Sequence, residues 1–258
     1  MVTSGERAIV IFDGSFDGFL CVVYAHYYDK VSPVLIQRTD HAQLTLNEKL
    51  HTITTDITKS TRVLNGIREK VSIEAASRVF YAFLSEALAT DENKYMTILN
   101  YIKLGFKLGH MVDSHLQEDC VRAVHNFARH VGREAHLLHG FCRFAETESG
   151  VFYCAVTPKN DVLALLADHF CQRLATQPWV IHDKVRGQAA VFDGKSYVIT
   201  DVPRDAKVVY AQGEKETQEL WVVFFKNLAI EARKNPKLQR QLLPLYFRKN
   251  MTEFMDKI

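Results

Sequence analysis

The feature that most constrains the fold is a change in hydrophobic periodicity near Gly140. Before this point, apolar residues recur mostly every three or four positions, which is the period of amphipathic helices. After it, short extended runs lie on either side of turn residues, which is typical of β-hairpins. The change predicts an α+β protein with a helix-rich N-terminal half and a β-hairpin/helix C-terminal half that contains an antiparallel sheet. We expect residues 1–139 and 140–258 to form two regions, with one continuous domain as the alternative.

A small β-α-β-like unit is expected to open the N-terminal half. Ala8–Phe12 is an apolar run with strand character, and Phe16–Tyr28 carries apolar residues at helical spacing. Val34–Gln37 and His51–Thr55 are candidates for two further short strands. Four helices are then expected, over residues 58–70, 72–89, 91–108 and 114–138.

Turn residues divide the C-terminal half into hairpins and helices. Residues 141–147 and 151–157 are predicted to pair around the turn at 148–150, and residues 189–200 to fold back at Asp193-Gly194. Residues 179–183 also have an extended pattern. Helices are expected over residues 161–174 and 214–234.

The composition favours a cytoplasmic protein. The N-terminus has neither the apolar core of a signal peptide nor the roughly 20 apolar residues of a membrane span. The five cysteines are odd in number and form no C-x-x-C pair, which favours free thiols over disulfides, a zinc site or an iron–sulfur cluster. We therefore predict no membrane association, no metal and no cofactor.

The strongest electrostatic signal is a basic segment, Ala232–Thr252, which contains six cations and no acidic residue. The cations are Arg233, Lys234, Lys237, Arg240, Arg248 and Lys249. Tyr246 and Phe247 precede the last pair. Cations neutralise phosphates and aromatic rings stack on unpaired bases, so this composition is typical of a nucleic-acid-binding surface. The alternative is a solvated helix end, where cations stabilise the negative end of the helix dipole.

A second basic stripe lies on the helix predicted over residues 114–138. Its members are Arg122, His125, Arg129, Arg133 and His136, which share one face because they recur every three or four positions. The opposite face is apolar and must be buried. The stripe therefore faces either a ligand or water, as the polar face of any amphipathic helix does.

Two groups of residues are weak candidates for catalysis. Asp13 and Asp17 lie in a strand-to-helix turn, where they can hold a metal or cap the helix, and Gly14 is expected to adopt a conformation that side chains tolerate poorly. The second group is predicted to line a cleft as a base or nucleotide pocket. It comprises Arg133, Glu134, His136, Arg143, Trp179 and Asp183. The alternative for the second group is a core tryptophan with charges paired beneath the sheet. No complete catalytic motif is present.

Four stretches of the chain together resemble a known family. They are Phe12–Gly18, Gly132–Phe144, Pro178–Gly194 and Ala232–Pro244. This combination resembles a bacterial family described as probable DNA metabolism proteins. The resemblance implies a companion, because members tend to be encoded beside a putative radical-SAM protein of DNA modification or repair. Some relatives are joined to a uracil-DNA-glycosylase-like domain.

The leading hypothesis from the sequence is a nucleic-acid-binding accessory protein in DNA repair or modification, with a radical-SAM partner implied by the resemblance. In this hypothesis the phosphates are contacted by Arg233, Lys237, Arg240, Arg248 and Lys249. Arg129 and Arg133 extend that track, Arg143 is a further nucleic-acid contact, and Trp179, Tyr246 and Phe247 stack on bases. One alternative is an enzyme acting on DNA or a nucleotide, by glycosylase-like chemistry or metal-assisted hydrolysis. A further alternative is a protein–protein adaptor without nucleic-acid contact.

Overall fold

The computed structural model describes residues 6–39, 49–86, 94–233 and 235–257. The N-terminal elements are β1 (Glu6–Phe12), α1 (Phe16–Tyr28), β2 (Val31–Arg38), β3 (Leu50–Thr52), α2 (Ile57–Lys70), α3 (Ile73–Phe83), α4 (Lys94–Leu108) and α5 (Asp119–Phe141). The C-terminal elements are β4 (Ala145–Glu146), β5 (Phe152–Val156), α6 (Leu163–Arg173), β6 (Trp179–Asp183), β7 (Gln188–Phe192), β8 (Tyr197–Asp201), α7 (Glu214–Leu228), α8 (Pro236–Leu242) and α9 (Leu245–Arg248). The predicted α+β class is confirmed.

The first sheet has three parallel strands in the order β2-β1-β3. Helix α1 connects β1 to β2, which confirms the predicted β-α-β-like opening. The central strand β1 is apolar throughout its middle, and Ile9, Val10 and Phe12 are almost fully buried, as expected of a strand covered on both faces. Ser15 caps α1, because its side chain accepts a hydrogen bond from the backbone N–H of Gly18 at 2.9 Å.

Several helix boundaries differ from the sequence prediction. Helix α3 ends at Phe83, and residues 84–86 are not helical, whereas the prediction ran to residue 89. Helix α5 begins at Asp119, because Gly109–Ser114 forms a 3₁₀ turn that Gly109 enters with a φ of +61°. The predicted start of α4 at Asp91 lies outside the described residues.

The second sheet has five strands in the order β4-β5-β6-β7-β8. Its neighbouring strands are antiparallel except β5 and β6, which run parallel and are joined through α6. The predicted hairpin at Asp193-Gly194 is present between β7 and β8, with Gly194 at a φ of +95°.

The end of the chain is more helical than its sequence pattern indicated. Helix α7 stops at Leu228 rather than at residue 234, and a 3₁₀ turn, Glu231–Arg233, precedes α8 and α9. Pro236 occupies the first turn of α8 and Pro244 precedes α9. Proline fits these positions because the first turn of a helix needs no N–H donor.

The chain divides into two compact units, Met1–Val131 and Gly132–Ile258. The boundary predicted after residue 139 and the single-domain alternative stay predictions. Among the helices within the described ranges, none combines the length and apolar character that a membrane span requires.

Candidate functional site

The basic segment folds into short helical turns in the second unit. Asn235 caps α8, because its side-chain oxygen accepts a hydrogen bond from the backbone N–H of Leu238 at 3.0 Å. The cation Lys234, which the sequence analysis counted in this segment, lies outside the described residues. Arg233, Lys237, Arg240 and Lys249 are exposed to solvent. These four cations are therefore accessible to a ligand.

Helix α8 presents two chemically different faces. Lys237 and Arg240 are three positions apart and border a shallow depression together with Gln241. Leu238 and Leu242 are four positions apart and border a different, apolar groove. Helical spacing thus separates a basic face from an apolar face within seven residues.

The two aromatic residues of the basic segment have partners within the protein. Phe247 is only 3% exposed and packs against Phe141, with ring centroids 6.0 Å apart. The Tyr246 hydroxyl donates a hydrogen bond to Glu134 at 3.2 Å, and the Lys159 ammonium lies 4.9 Å from the centre of its ring. Burial and the Glu134 carboxylate raise the pKa of Tyr246. The predicted stacking role is wrong for Phe247, and the Tyr246 ring already has a cation over one face.

Arg143 is held by several hydrogen bonds within the second unit. Its guanidinium donates two hydrogen bonds to the Glu253 carboxylate, at 2.7 and 3.2 Å, and further bonds to the carbonyls of Gly140 and Cys142. It also lies 5.1 Å from the ring centre of Trp221, whose indole N–H donates to Glu253. These bonds occupy the guanidinium fork that would bind a phosphate, and the predicted nucleic-acid contact of Arg143 stays a prediction.

Arg248 is partly engaged within the protein. Its guanidinium lies 4.8 Å from the ring centre of Phe254, and Nη2 donates to the Leu243 carbonyl at 3.3 Å.

The basic stripe on α5 is exposed at Arg129, Arg133 and His136, and Arg129 donates a hydrogen bond to Asn126. Their contact with nucleic acid stays a prediction.

The predicted pocket around Trp179 and Asp183 does not exist. Trp179 is fully buried and stacks on Phe192, with ring centroids 5.1 Å apart. Asp183 is also fully buried, and its carboxylate accepts hydrogen bonds from the backbone N–H of Val185 and from both the backbone and the guanidinium of Arg186. Both roles predicted for this strand are wrong, because β6 lies inside the sheet and its side chains are covered.

Glu134 is also structural. Its carboxylate is 95% buried and accepts hydrogen bonds of 2.8 Å from the backbone N–H groups of Lys159 and Asn160, and one of 2.6 Å from the Asn160 side chain. With Tyr246 these donors occupy both carboxylate oxygens. A catalytic acid or base needs access to substrate, so the catalytic prediction for Glu134 is wrong.

Asp13 organises the turn before α1. It accepts hydrogen bonds from the backbone N–H and the hydroxyl of Ser15, and from the Thr55 hydroxyl at 2.6 Å. Burial alone would raise the pKa of Asp13, but these hydrogen bonds outweigh it and hold the pKa below its usual value. Asp17 lies in the first turn of α1, where a carboxylate stabilises the helix dipole. The side chain that caps α1 is that of Ser15, which Asp13 in turn holds through its hydrogen bonds. Within the described ranges no group of three or more metal-binding side chains is found.

Comparison with known proteins identifies a family for most of this architecture. The family model of a domain of unknown function, DUF4130, matches residues 92–253. The chain belongs to the DUF4130 family. A search of the curated proteins found no match.

The DUF4130 match includes the whole second unit as far as Glu253, with the basic segment and the Arg143–Glu253 ion pair. It begins after the three-stranded parallel sheet, so Asp13 and Asp17 lie outside the matched residues.

Sequence reasoning missed two features of the DUF4130 region. One is the role of Glu253 and Trp221 in holding Arg143, for which the sequence contains no local signal. The other is the apolar groove beside α8. The sequence did contain a signal for this groove, because aliphatic residues recur between the cations from Leu228 to Leu245.

Proposed function

We propose that this protein is a nucleic-acid-binding accessory factor in DNA repair or modification that acts with a radical-SAM partner. The observation that supports binding is the exposed basic face of α8. Lys237 and Arg240 project from it, and the residues that line the depression beside them include no carboxylate. Unpaired cations release counterions when they meet phosphates, and this release drives nucleic-acid binding. The DNA context and the radical-SAM partner come from the family resemblance.

The burial of Trp179 and Phe247 changes the expected mode of binding. Because these two rings are covered, the proposed contacts are those between exposed cations and the phosphate backbone. Phosphate contacts position a protein on nucleic acid but carry no sequence information. We therefore propose binding with little sequence preference and a steep dependence on salt.

Glu134 and Asp183, two of the candidates for the enzyme alternative, are buried and hydrogen-bonded within the protein. The adaptor alternative is supported by the apolar groove beside α8.

Salt-dependent DNA binding tests the proposal. The double variant Lys237→Ala/Arg240→Ala is expected to weaken binding of a fluorescent mixed-sequence oligonucleotide by roughly tenfold at low salt. The slope of log affinity against log salt should flatten by about two units, because about 0.9 counterion is released per phosphate contact. Fluorescence anisotropy at several salt concentrations measures both quantities.

The matched control is Lys207→Ala/Lys215→Ala, which removes the same charge from exposed positions outside the basic segment. This control should leave the slope unchanged. Equal slopes for both double variants and the unmodified protein would contradict the proposal. Co-elution of the purified radical-SAM protein, with and without DNA, tests the partner separately.

A further inference from the structure

An apolar groove of about 850 Å³ lies between α7 and the short helices α8 and α9. Its walls carry aliphatic side chains that are roughly half or more exposed: Leu228 64%, Ile230 55%, Leu238 48%, Leu242 53% and Leu245 61%. Scattered exposed leucines are ordinary on a protein surface, but a contiguous group of this kind marks an interaction site.

The charges around the groove all have one sign. Lys226, Arg233, Arg248 and Lys249 contribute to its lining, and the described lining residues include no carboxylate. The net charge of the whole chain is only +2, so this rim is a local concentration of positive charge. Charge complementarity therefore favours an acidic occupant.

We propose that this groove binds an acidic amphipathic helix of a partner protein. The groove is formed by α7, α8, α9 and the segments that join them, and no strand of the described residues lines it. An extended peptide would therefore find no strand edge here to pair with its own N–H and C=O groups. A helix brings its backbone hydrogen bonds with it and can place leucines at i, i+3, i+4 and i+7 into the groove.

Two other occupants fit the observations less well. Nucleic-acid bases stack on aromatic rings. Of the two rings that line the groove, Phe254 is buried and Phe225 is partly covered, whereas the most exposed apolar side chains of the lining are aliphatic. A second copy of this chain, packed symmetrically groove to groove, would bring like charges together at the rim. An acidic helix satisfies both the apolar walls and the basic rim.

This inference goes beyond the proposed nucleic-acid binding and does not depend on it. Leu238 and Leu242 line the groove, while Lys237 and Arg240 line the separate depression on the other face of α8. One short helix thus offers one face to a protein and another to phosphates, and each face can be altered separately.

The test uses synthetic fluorescent peptides and the full chain. The acidic peptide is roughly 15 residues long and has leucines at helical spacing with glutamates on its flanks. A second peptide, in which lysines replace the glutamates, tests the sign of the charge. A third peptide, with a proline at its centre, tests the need for a helix. We expect the acidic peptide to bind with a Kd on the order of ten micromolar at low salt, at least about tenfold tighter than the other two. Raising the salt should weaken its binding.

The groove variant Leu238→Glu/Leu242→Glu should weaken binding of the acidic peptide by at least about tenfold. Leu220→Glu is the control, because Leu220 is 70% exposed on α7 and lies outside the groove lining. Circular dichroism checks that both variants stay folded. Lys237→Ala/Arg240→Ala should bind the peptide normally, which separates this inference from the nucleic-acid proposal.

Several outcomes would overturn the inference. Equal binding of the acidic and basic peptides, no binding of the acidic one, or unchanged affinity of the groove variant would each do so. Self-association that the groove variant abolishes would identify a second copy as the occupant instead. Loss of oligonucleotide binding in the groove variant, without peptide binding in the unmodified protein, would identify nucleic acid.

Discussion

Gly14 determines how the chain turns from β1 into α1. Its φ is +85°, and a Cβ at this position would lie 2.8 Å from Nε of Arg38. L-residues rarely adopt this conformation, and the side chain of Arg38 would also have to move. The expectation that side chains are poorly tolerated here is confirmed at the level of geometry.

We predict that Gly14→Val lowers the free energy of unfolding by about 1–3 kcal/mol, the usual cost of a non-glycine residue in a sparsely populated backbone region. Urea unfolding followed by far-UV circular dichroism measures it, because both tryptophans, Trp179 and Trp221, lie in the other unit. Gly66→Ala in α2 is the control and should raise the free energy of unfolding. A Cβ there would lie 3.8 Å from Phe106, an ordinary contact distance, and alanine favours helix more than glycine does. Equal stability of Gly14→Val and the unmodified protein would refute the prediction.

At the scale of elements, the loop between β5 and α6 is held by side chains from two other elements. Glu134 of α5 accepts from the backbone N–H groups of Lys159 and Asn160, and Arg186 of the β6–β7 turn donates to the Lys159 carbonyl. Backbone groups of a buried loop need such partners, because no ladder satisfies them. Glu134, which the sequence pattern assigned to a pocket, thus positions the loop that leads into α6.

We predict that Glu134→Ala lowers the free energy of unfolding by about 2–4 kcal/mol, because it leaves several buried donors without an acceptor. Oligonucleotide binding at low salt should be unchanged, since α8 keeps its exposed cations. Tryptophan fluorescence during urea unfolding measures the stability. Glu148→Ala, at an exposed position, should change it by no more than about 0.5 kcal/mol. Normal stability combined with lost turnover of a nucleotide would restore the enzyme alternative.

Within the second unit, which starts at Gly132, the C-terminal segment contacts residues near the start of that unit. Arg143 and Glu253 are 110 positions apart and form an ion pair whose carboxylate side chain is 1% exposed. Burial alone would raise the pKa of Glu253. The hydrogen bonds and charge of Arg143, with help from Trp221, outweigh burial and hold the pKa below its ordinary value of 4.5.

The stability conferred by Glu253 should therefore depend on pH in a defined direction. A lowered folded-state pKa means that this stability is present above about 4.5 and is lost as the pH falls through the folded-state value. We predict that Glu253→Gln lowers the free energy of unfolding by about 1.5–3 kcal/mol at pH 7. The difference between the variant and the unmodified protein should become smaller as the pH falls through the folded-state pKa. Urea unfolding at several pH values measures it, with Glu219→Gln on the exposed surface of α7 as control. A difference that is constant across this range would rule out the assigned cause.

Local chemistry in the sequence was sufficient to identify most elements. The β-α-β-like opening, the turn at Asp193-Gly194 and the buried face of α5 follow from period and turn residues that act over a few positions. The cations of the basic segment were also visible, because charge is a property of the residue itself. Helix ends were predicted less well, since α3 ends at Phe83 and α7 at Leu228, each several residues before its predicted end.

The tertiary structure decided which polar and aromatic residues remain available to a ligand. Trp179 and Phe247 are covered, Arg143 is bound by Glu253, and Glu134 is bound by a loop 25 residues away. The residue type determines what a side chain can bind. Whether that side chain is free to bind a ligand depends on the partners that folding brings near it. Those partners lie far apart in the chain, and so no local pattern could separate the structural cations and aromatics from the exposed ones.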